Sequence, residues 1–162
     1  TTIEDMAELY GMSAGQYSAD DIVKGDFGHI EDDDLKAFMA DVHKRFSTKI
    51  VGVTIRYPDT FEQHRWESAA MDSEGNYFRS SAVRSIVLWD RLGGGDTWNG
   101  GFYYGLLSED DPLRRIQKGI VVGDAATCLK QTLMFDLPIV TKAEVQSLMT
   151  SQIEGGGKRT VR

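Results

Sequence analysis

The sequence predicts an α/β protein, with helices layered on a largely parallel sheet, and three observations carry that expectation. An amphipathic helical pattern at 32–46 runs directly into Ile50-Val51-Gly52-Val53-Thr54-Ile55, a nearly continuous apolar stretch of the kind found in strands covered on both faces. A second apolar run, Ile86-Val87-Leu88-Trp89, reads as a buried strand. It passes through Gly93, Gly94 and Gly95 into a helical pattern at Phe102–Leu107. Helices alternating with such strands argue for layers, and ligands of these sheets bind beyond the carboxyl ends of the strands.

The bounds are ordinary. A chain of 162 residues can bury one sizeable core, so a single domain over 1–162 is the expectation. With 41% hydrophobic residues and a formal net charge of −7, the protein is acidic, which argues against nucleic acid or an anionic membrane as its main partner. No apolar run approaches the roughly 20 residues of a membrane span. The first residues lack the basic-then-apolar pattern of a secretion signal, and the lone Cys128 allows no internal disulfide. A reducing, cytoplasmic setting is expected. His29, His43, His64 and Cys128 have no zinc-ligand spacing.

Taken in order, Ile3, Met6, Ala7 and Tyr10 share one helical face, and Gly11 is its stop. Glu4 and Asp5 suit the start of that helix. Residues 18–30 read as an irregular acidic connection. Asp32-Asp33-Asp34 opens the amphipathic helix, whose stripe is Leu35, Phe38, Met39, Val42 and Phe46. The acid run is helix chemistry rather than a metal site, and His43 falls on the solvated flank. Thr54, Ile55 and Arg56 end the first strand, where Arg56 offers a fixed charge either to a phosphate or to a surface ion pair. Residues 65–71 and 76–80 flank Asp72-Ser73-Glu74-Gly75 as a hairpin, and 84–88 returns to the sheet.

The stretch from Asp90 to Phe102 concentrates the chemistry. Gly93, Gly94 and Gly95 permit positive φ and let backbone N–H groups approach a ligand bare of any Cβ. The N-terminus of the following helix adds unpaired donors and the positive end of its dipole, making an anion site. Asp96 beside it is then anomalous, unless a base is needed where a hydroxyl loses its proton before attacking a phosphoryl group. The competing reading is a plain glycine-rich connection with Asp96 as a cap. The stretch is neither a Walker loop, since no Gly-Lys-Ser/Thr follows, nor a dinucleotide fingerprint, since Trp98 holds the third glycine position.

Beyond it, Ser108–Asp111 with Pro112 caps a helix expected to run to about Thr132, with Leu113, Ile116, Ile120, Val121 and Leu129 on its apolar face. Gly119, Gly123, Ala125 and Ala126 keep its surface low, for close packing against the preceding helix or for a flat ring. Cys128 reads as a small buried apolar residue. Residues 133–140, with Pro138, form a loop, and Thr141 with Glu144 is a capping box opening the last helix, to about Gln152. Gly155-Gly156-Gly157 loosens the tail.

Asp90-Arg91-Leu92-Gly93-Gly94-Gly95-Asp96-Thr97-Trp98-Asn99-Gly100-Gly101-Phe102 resembles the second signature of the ribokinase-like (PfkB) sugar kinases. Its Asp-Arg opening and three glycines are most similar to 2-keto-3-deoxygluconate kinases. The similarity continues through Cys128-Leu129-Lys130-Gln131-Thr132 and a closing Gly-Lys-Arg-Thr-Val-Arg segment. The resemblance implies a three-layer α/β/α fold of which this chain is the C-terminal half, with 90–101 as the nucleotide-binding and catalytic loop. It implies ATP-dependent phosphorylation of a primary hydroxyl on a sugar or sugar acid.

In that scheme Asp96 takes the hydroxyl proton, while Gly93, Gly94 and Gly95 stabilise the transferring group. Thr54 and Arg56 lie beside the phosphates. Asp124 borders the adenine, in a place where most members have Asn. Mg2+ has Glu4 or Asp5 in its outer shell; the usual Asn of that motif is absent, and Thr1 or Thr2 stands in its place. Asp90 and carbonyls of 133–140 border a monovalent cation, K+. The partners implied are ATP and a small sugar, with no nucleic acid or membrane, and any self-association is left to regions outside this chain. The alternative of another class is a nucleotide-binding fragment or scaffold relative without turnover.

Overall fold

In the computed structural model of the protein, which describes residues 1–58, 63–80 and 84–153, the chain divides between Thr1–Ser85 and Ile86–Arg162. The first part opens on α1, Ile3–Tyr10. Thr2 Oγ1 accepts the Asp5 N–H at 2.9 Å, and the Asp5 carboxylate accepts the Thr2 N–H at 3.4 Å, closing a reciprocal box. Gly11 ends the helix at φ +65°, as its position suggests.

The connection expected at 18–30 holds a short helix, α2, Ala19–Lys24. Its start is again a box, between Ser18 and Asp21, with Asp in the place usually read as Glu or Gln. That substitution hid the signal. The long helix α3, Asp32–Phe46, buries Leu35, Phe38, Met39 and Val42 as the stripe predicts. Phe46 stays exposed, edge-on to Tyr10 at 4.8 Å. His43 is half-buried rather than solvated. Its Nε2 faces the Met71 carbonyl at 3.1 Å and its Nδ1 faces the Thr48 hydroxyl at 3.1 Å, pinning the helix end to a strand.

Strands β1 (Ile50–Pro58), β2 (Gln63–Asp72) and β3 (Tyr77–Arg79) lie side by side and pair antiparallel, with Val53 opposite Ala69 and Ala70 opposite Phe78. The hairpin turn is where the sequence places it. Asp72 Oδ1 accepts the N–H groups of Glu74 and Asn76 at 3.0 and 2.9 Å. A largely parallel sheet is expected from the sequence, and the pairings of β1 with β2 and of β2 with β3 are antiparallel instead. A continuous apolar run reports burial on both faces, and burial does not fix strand direction. A parallel bridge joins Thr2 to Thr54, where the Thr54 N–H donates to the Thr1 carbonyl at 3.1 Å.

Buried Glu67 on β2 accepts from Tyr57 Oη at 2.5 Å and from Arg79 Nη2 at 2.7 Å. Arg79 also reaches the Ile30 carbonyl and the Asp32 carboxylate, so the buried charges are fully served. A further strand, β4, covers Arg84–Val87. Of the run expected to be a buried strand, Ile86 is buried, while Val87 and Trp89 are 56% and 70% exposed.

The second part is helical: α4 Gly94–Leu107, α5 Pro112–Lys130 and α6 Lys142–Ile153. Asp111 caps α5 by accepting from the N–H groups of Leu113 and Arg114, each at 3.0 Å. Ile116 and Ile120 are buried, but Leu113, expected on the apolar face, is exposed in the first turn. The small residues give the close packing expected of them. A Cβ on Gly105 would lie 2.6 Å from Gly119 Cα, and one on Gly101 2.9 Å from Gly123 Cα. Thr141 and Glu144 form the box that starts α6. Among the described residues no helix is long and apolar enough to cross a membrane. The glycines at 155–157 and the closing segment lie outside the described residues.

Candidate functional site

The expected site residues fall into two groups, one in each part of the chain. In the second part, α4 begins eight residues before the helical pattern at Phe102, so the glycine stretch is itself the first turn of the helix. Gly93 is the N-cap at φ +71°, and a Cβ there would lie 2.5 Å from the Asp136 carbonyl oxygen, so the position requires glycine twice over. No side chain caps this helix. The Gly94 N–H turns back to the Arg91 carbonyl at 3.2 Å, whereas the next two amides, of Gly95 and Asp96, belong to the set that has no acceptor within a helix. Nothing would meet a Cβ on Gly95 within 4 Å, so there is free space on that side of the turn.

The Asp96 carboxylate is exposed at this turn. It borders a cavity of about 510 Å³ with Gly93, Thr97, Ala126, Asp136 and Pro138. The loop at 133–140 is therefore a wall of the cavity. A second cavity, of about 390 Å³, shares Gly101 and Ala126 and is lined also by Tyr104, Val122 and Met149. Lys142 beside Tyr104 favours the phenolate and draws that hydroxyl below its ordinary pKa.

Asp90 holds the entry to the turn. Its carboxylate accepts the N–H groups of Leu92 and Phe135, each at 2.9 Å, and these bonds keep the carboxyl below the usual carboxylate range. Its carbonyl faces Lys130 Nζ at 3.4 Å, so the oxygen that the resemblance lends to a monovalent cation already has a positive neighbour. Thr127 Oγ1 donates to the Gly94 carbonyl at 3.0 Å, tying α5 to the same turn. Asp124, expected at the edge of an adenine, faces inward: it is 1% exposed and accepts the Trp98 indole N–H at 2.9 Å. Ala126 lines the cavities instead. Sequence reasoning missed Lys130, Gln131 and Asp136 as parts of this site. Lys130, a charge at the end of an otherwise apolar helix segment, was the signal available.

In the first part, Thr54 is buried on β1 and its N–H is taken by the Thr1 carbonyl. Arg56 is not at the strand end, because β1 continues to Pro58. Glu4 is half-buried, and its Oε2 is a buried oxygen with no hydrogen-bond partner. Burial raises its carboxyl pKa, against a backbone hydrogen bond and the charge of Arg56, which lower it. Among the described residues no three metal-ligating side chains cluster. Magnesium keeps most of its waters and takes one or two carboxylates plus phosphates, so the unpartnered Glu4 oxygen fits an outer-shell role.

No protein-family model matches the sequence, and no curated protein does. Solved structures do. One is a 2-dehydro-3-deoxygluconokinase from Thermotoga maritima, with a TM-score of 0.69 and 20% identity over 92% of this chain and 40% of that one. A second is a protein proposed to be a 2-keto-3-deoxygluconate kinase from Enterococcus faecalis, with a TM-score of 0.69 and 17% identity over 100% of this chain and 41% of that one. A third is a PfkB family carbohydrate kinase from Listeria grayi, with a TM-score of 0.55 and 21% identity over 90% of this chain and 43% of that one. The fold is thus that of a portion of the ribokinase-like sugar kinases. The chain spans about 40% of the length of the first two structures it matches.

Proposed function

We propose that this chain is the nucleotide-binding portion of an ATP-dependent carbohydrate kinase, acting on 2-keto-3-deoxygluconate or a related sugar acid. One observation carries the reading: the exposed Asp96 carboxylate, in the first turn of a helix that no side chain caps, borders a cavity of about 510 Å³. The amides of Gly95 and Asp96 would receive the γ-phosphoryl oxygens, at the end of the helix where negative charge is favoured. Asp96 would accept the proton of the attacking primary hydroxyl while its oxygen bonds to phosphorus and the bond to ADP breaks. The cavity beside Ala126 offers room for a nucleotide, and Arg56, in the first part of the chain, is a charge of the kind that binds phosphate. Magnesium, when bound, would offset the phosphate charge, with Glu4 in its outer shell.

A coupled assay of the full-length protein with ATP, magnesium and a panel of sugar acids tests the reading. The expected result is ADP formation dependent on 2-keto-3-deoxygluconate or a close analogue, with the phosphate on a primary hydroxyl. ATP binding without turnover on any sugar or sugar acid would instead make the protein a nucleotide-binding relative.

A further inference from the structure

Lys130, the last residue of α5, has no exposed surface and is the largest fully buried side chain among those described. A buried cation needs compensation, and none of the described ion pairs includes this one. What Nζ meets is the Asp90 carbonyl oxygen, at 3.4 Å. The Asp90 carboxylate is engaged elsewhere, with the amides of Leu92 and Phe135, although the lysine charge still helps keep it ionised.

The lysine belongs to a built arrangement. The amides of Trp89 and Asp90 both donate to the Gln131 carbonyl, at 2.9 and 3.4 Å. The entry to the glycine turn is therefore gripped by consecutive residues: Gln131 takes the N–H side and Lys130 the carbonyl side. Gly93, the helix N-cap, follows Asp90 by three residues. An ammonium and a potassium ion carry the same charge and take the same ligands, carbonyl oxygens, at similar distances. Two of them on one oxygen would repel across a poorly screened interior.

We propose that Lys130 is a built-in monovalent cation: its ammonium takes the place of a potassium ion at the Asp90 carbonyl and holds the α4 turn in shape without one. The inference stands on Lys130 and Asp90 alone and needs no phosphoryl transfer, so its test reads stability rather than turnover.

The experiment measures melting temperature on the full-length protein in potassium chloride and in choline chloride at equal ionic strength, for wild type and Lys130→Met. Methionine keeps the apolar stem and removes the charge. Wild type is expected to melt at the same temperature in both salts. Lys130→Met is expected to melt about 3 °C or more higher in potassium than in choline, as an ion enters the vacated place. A potassium-specific rise in wild type would overturn the proposal, and so would a variant indifferent to the cation. If the variant does not fold, the wild-type comparison still decides, since a potassium-specific rise there overturns the proposal.

Discussion

Asp5 and Asp96 occupy the same position in two helices, the third residue of α1 and the third of α4, and the molecule treats them in opposite ways. Asp5 is consumed locally: Thr2 at the N-cap exchanges hydrogen bonds with it and the helix start is closed. Asp21 repeats that solution with Ser18. At Asp96 the N-cap is Gly93, which has no hydroxyl to offer, so the box cannot form and the carboxylate is left facing a cavity. A side chain at position 93 is excluded in any case, by the left-handed backbone and by Asp136, so this helix start stays uncapped. The difference between a structural and a chemical aspartate here lies three residues upstream of each.

The sharpest way to break this comparison is Asp96→Asn in the full-length protein. A base role predicts a fall in kcat of roughly 10²–10⁴, with ATP affinity unchanged or improved because a negative charge near the phosphates is gone. A role like that of Asp5 predicts unchanged kcat and a loss of about 1 kcal/mol or less of stability. Steady-state kinetics and a melting curve on the same sample separate the two.

Next in size is Gly105→Ala. The added Cβ would lie 2.6 Å from backbone of Gly119, where no flexible side chain can yield, so α4 and α5 must separate. A destabilisation of about 1–3 kcal/mol is expected from overpacking, read by denaturant unfolding. Gly95→Ala, with nothing within 4 Å of the added atom, should leave stability almost unchanged and weaken ATP binding instead. If both variants lose stability equally, the open turn at Gly95 is not open.

Removing the closed end gives a smaller effect. Thr2→Ala should cost about 1 kcal/mol of stability and leave nucleotide affinity alone, because its box serves only α1. A loss of ATP affinity beyond what the lower stability explains would mean that the start of α1 does more than cap.

The same contrast shows what was legible in the chain. Helices α1, α3 and α5 could be read because each announces itself twice, by an apolar stripe and by a terminus: Gly11, Asp32-Asp33-Asp34 and Asp111-Pro112. The hairpin was legible from Asp72-Ser73-Glu74-Gly75, a local turn with local partners. Strand direction was not, since Val51, Val53 and Ile55 bury equally well in either sense. The candidate site was half legible. Gly93 and Asp96 stand out in the sequence, but Lys130 and Asp136 reach the turn from about 40 residues away, through α5 and the loop after it. Asp124 was legible as a polar residue among small ones, yet its partner Trp98 lies on another helix, and the sequence gives no sign of which way it turns.

The smallest expected effect concerns Glu4, next to Asp5 in the same first turn. Asp5 has its partner, whereas Glu4 has a buried oxygen with none, and burial raises its pKa in the folded state. The sign follows from linkage: the folded chain holds the proton more tightly than the unfolded one. The contribution of this group to stability is therefore greatest below the ordinary glutamate value, about 4.3, and is lost as pH rises through the folded value. At neutral pH the ionised group is a burden that the charge of Arg56 offsets only in part. Glu4→Gln should then raise the melting temperature at neutral pH by about 2 °C and flatten its decline between mildly acidic and neutral pH. It should also weaken the dependence of ATP binding on magnesium while leaving metal-free binding unchanged. A variant no more stable at neutral pH, and with unaltered magnesium dependence, would reduce Glu4 to one more acid at a helix start.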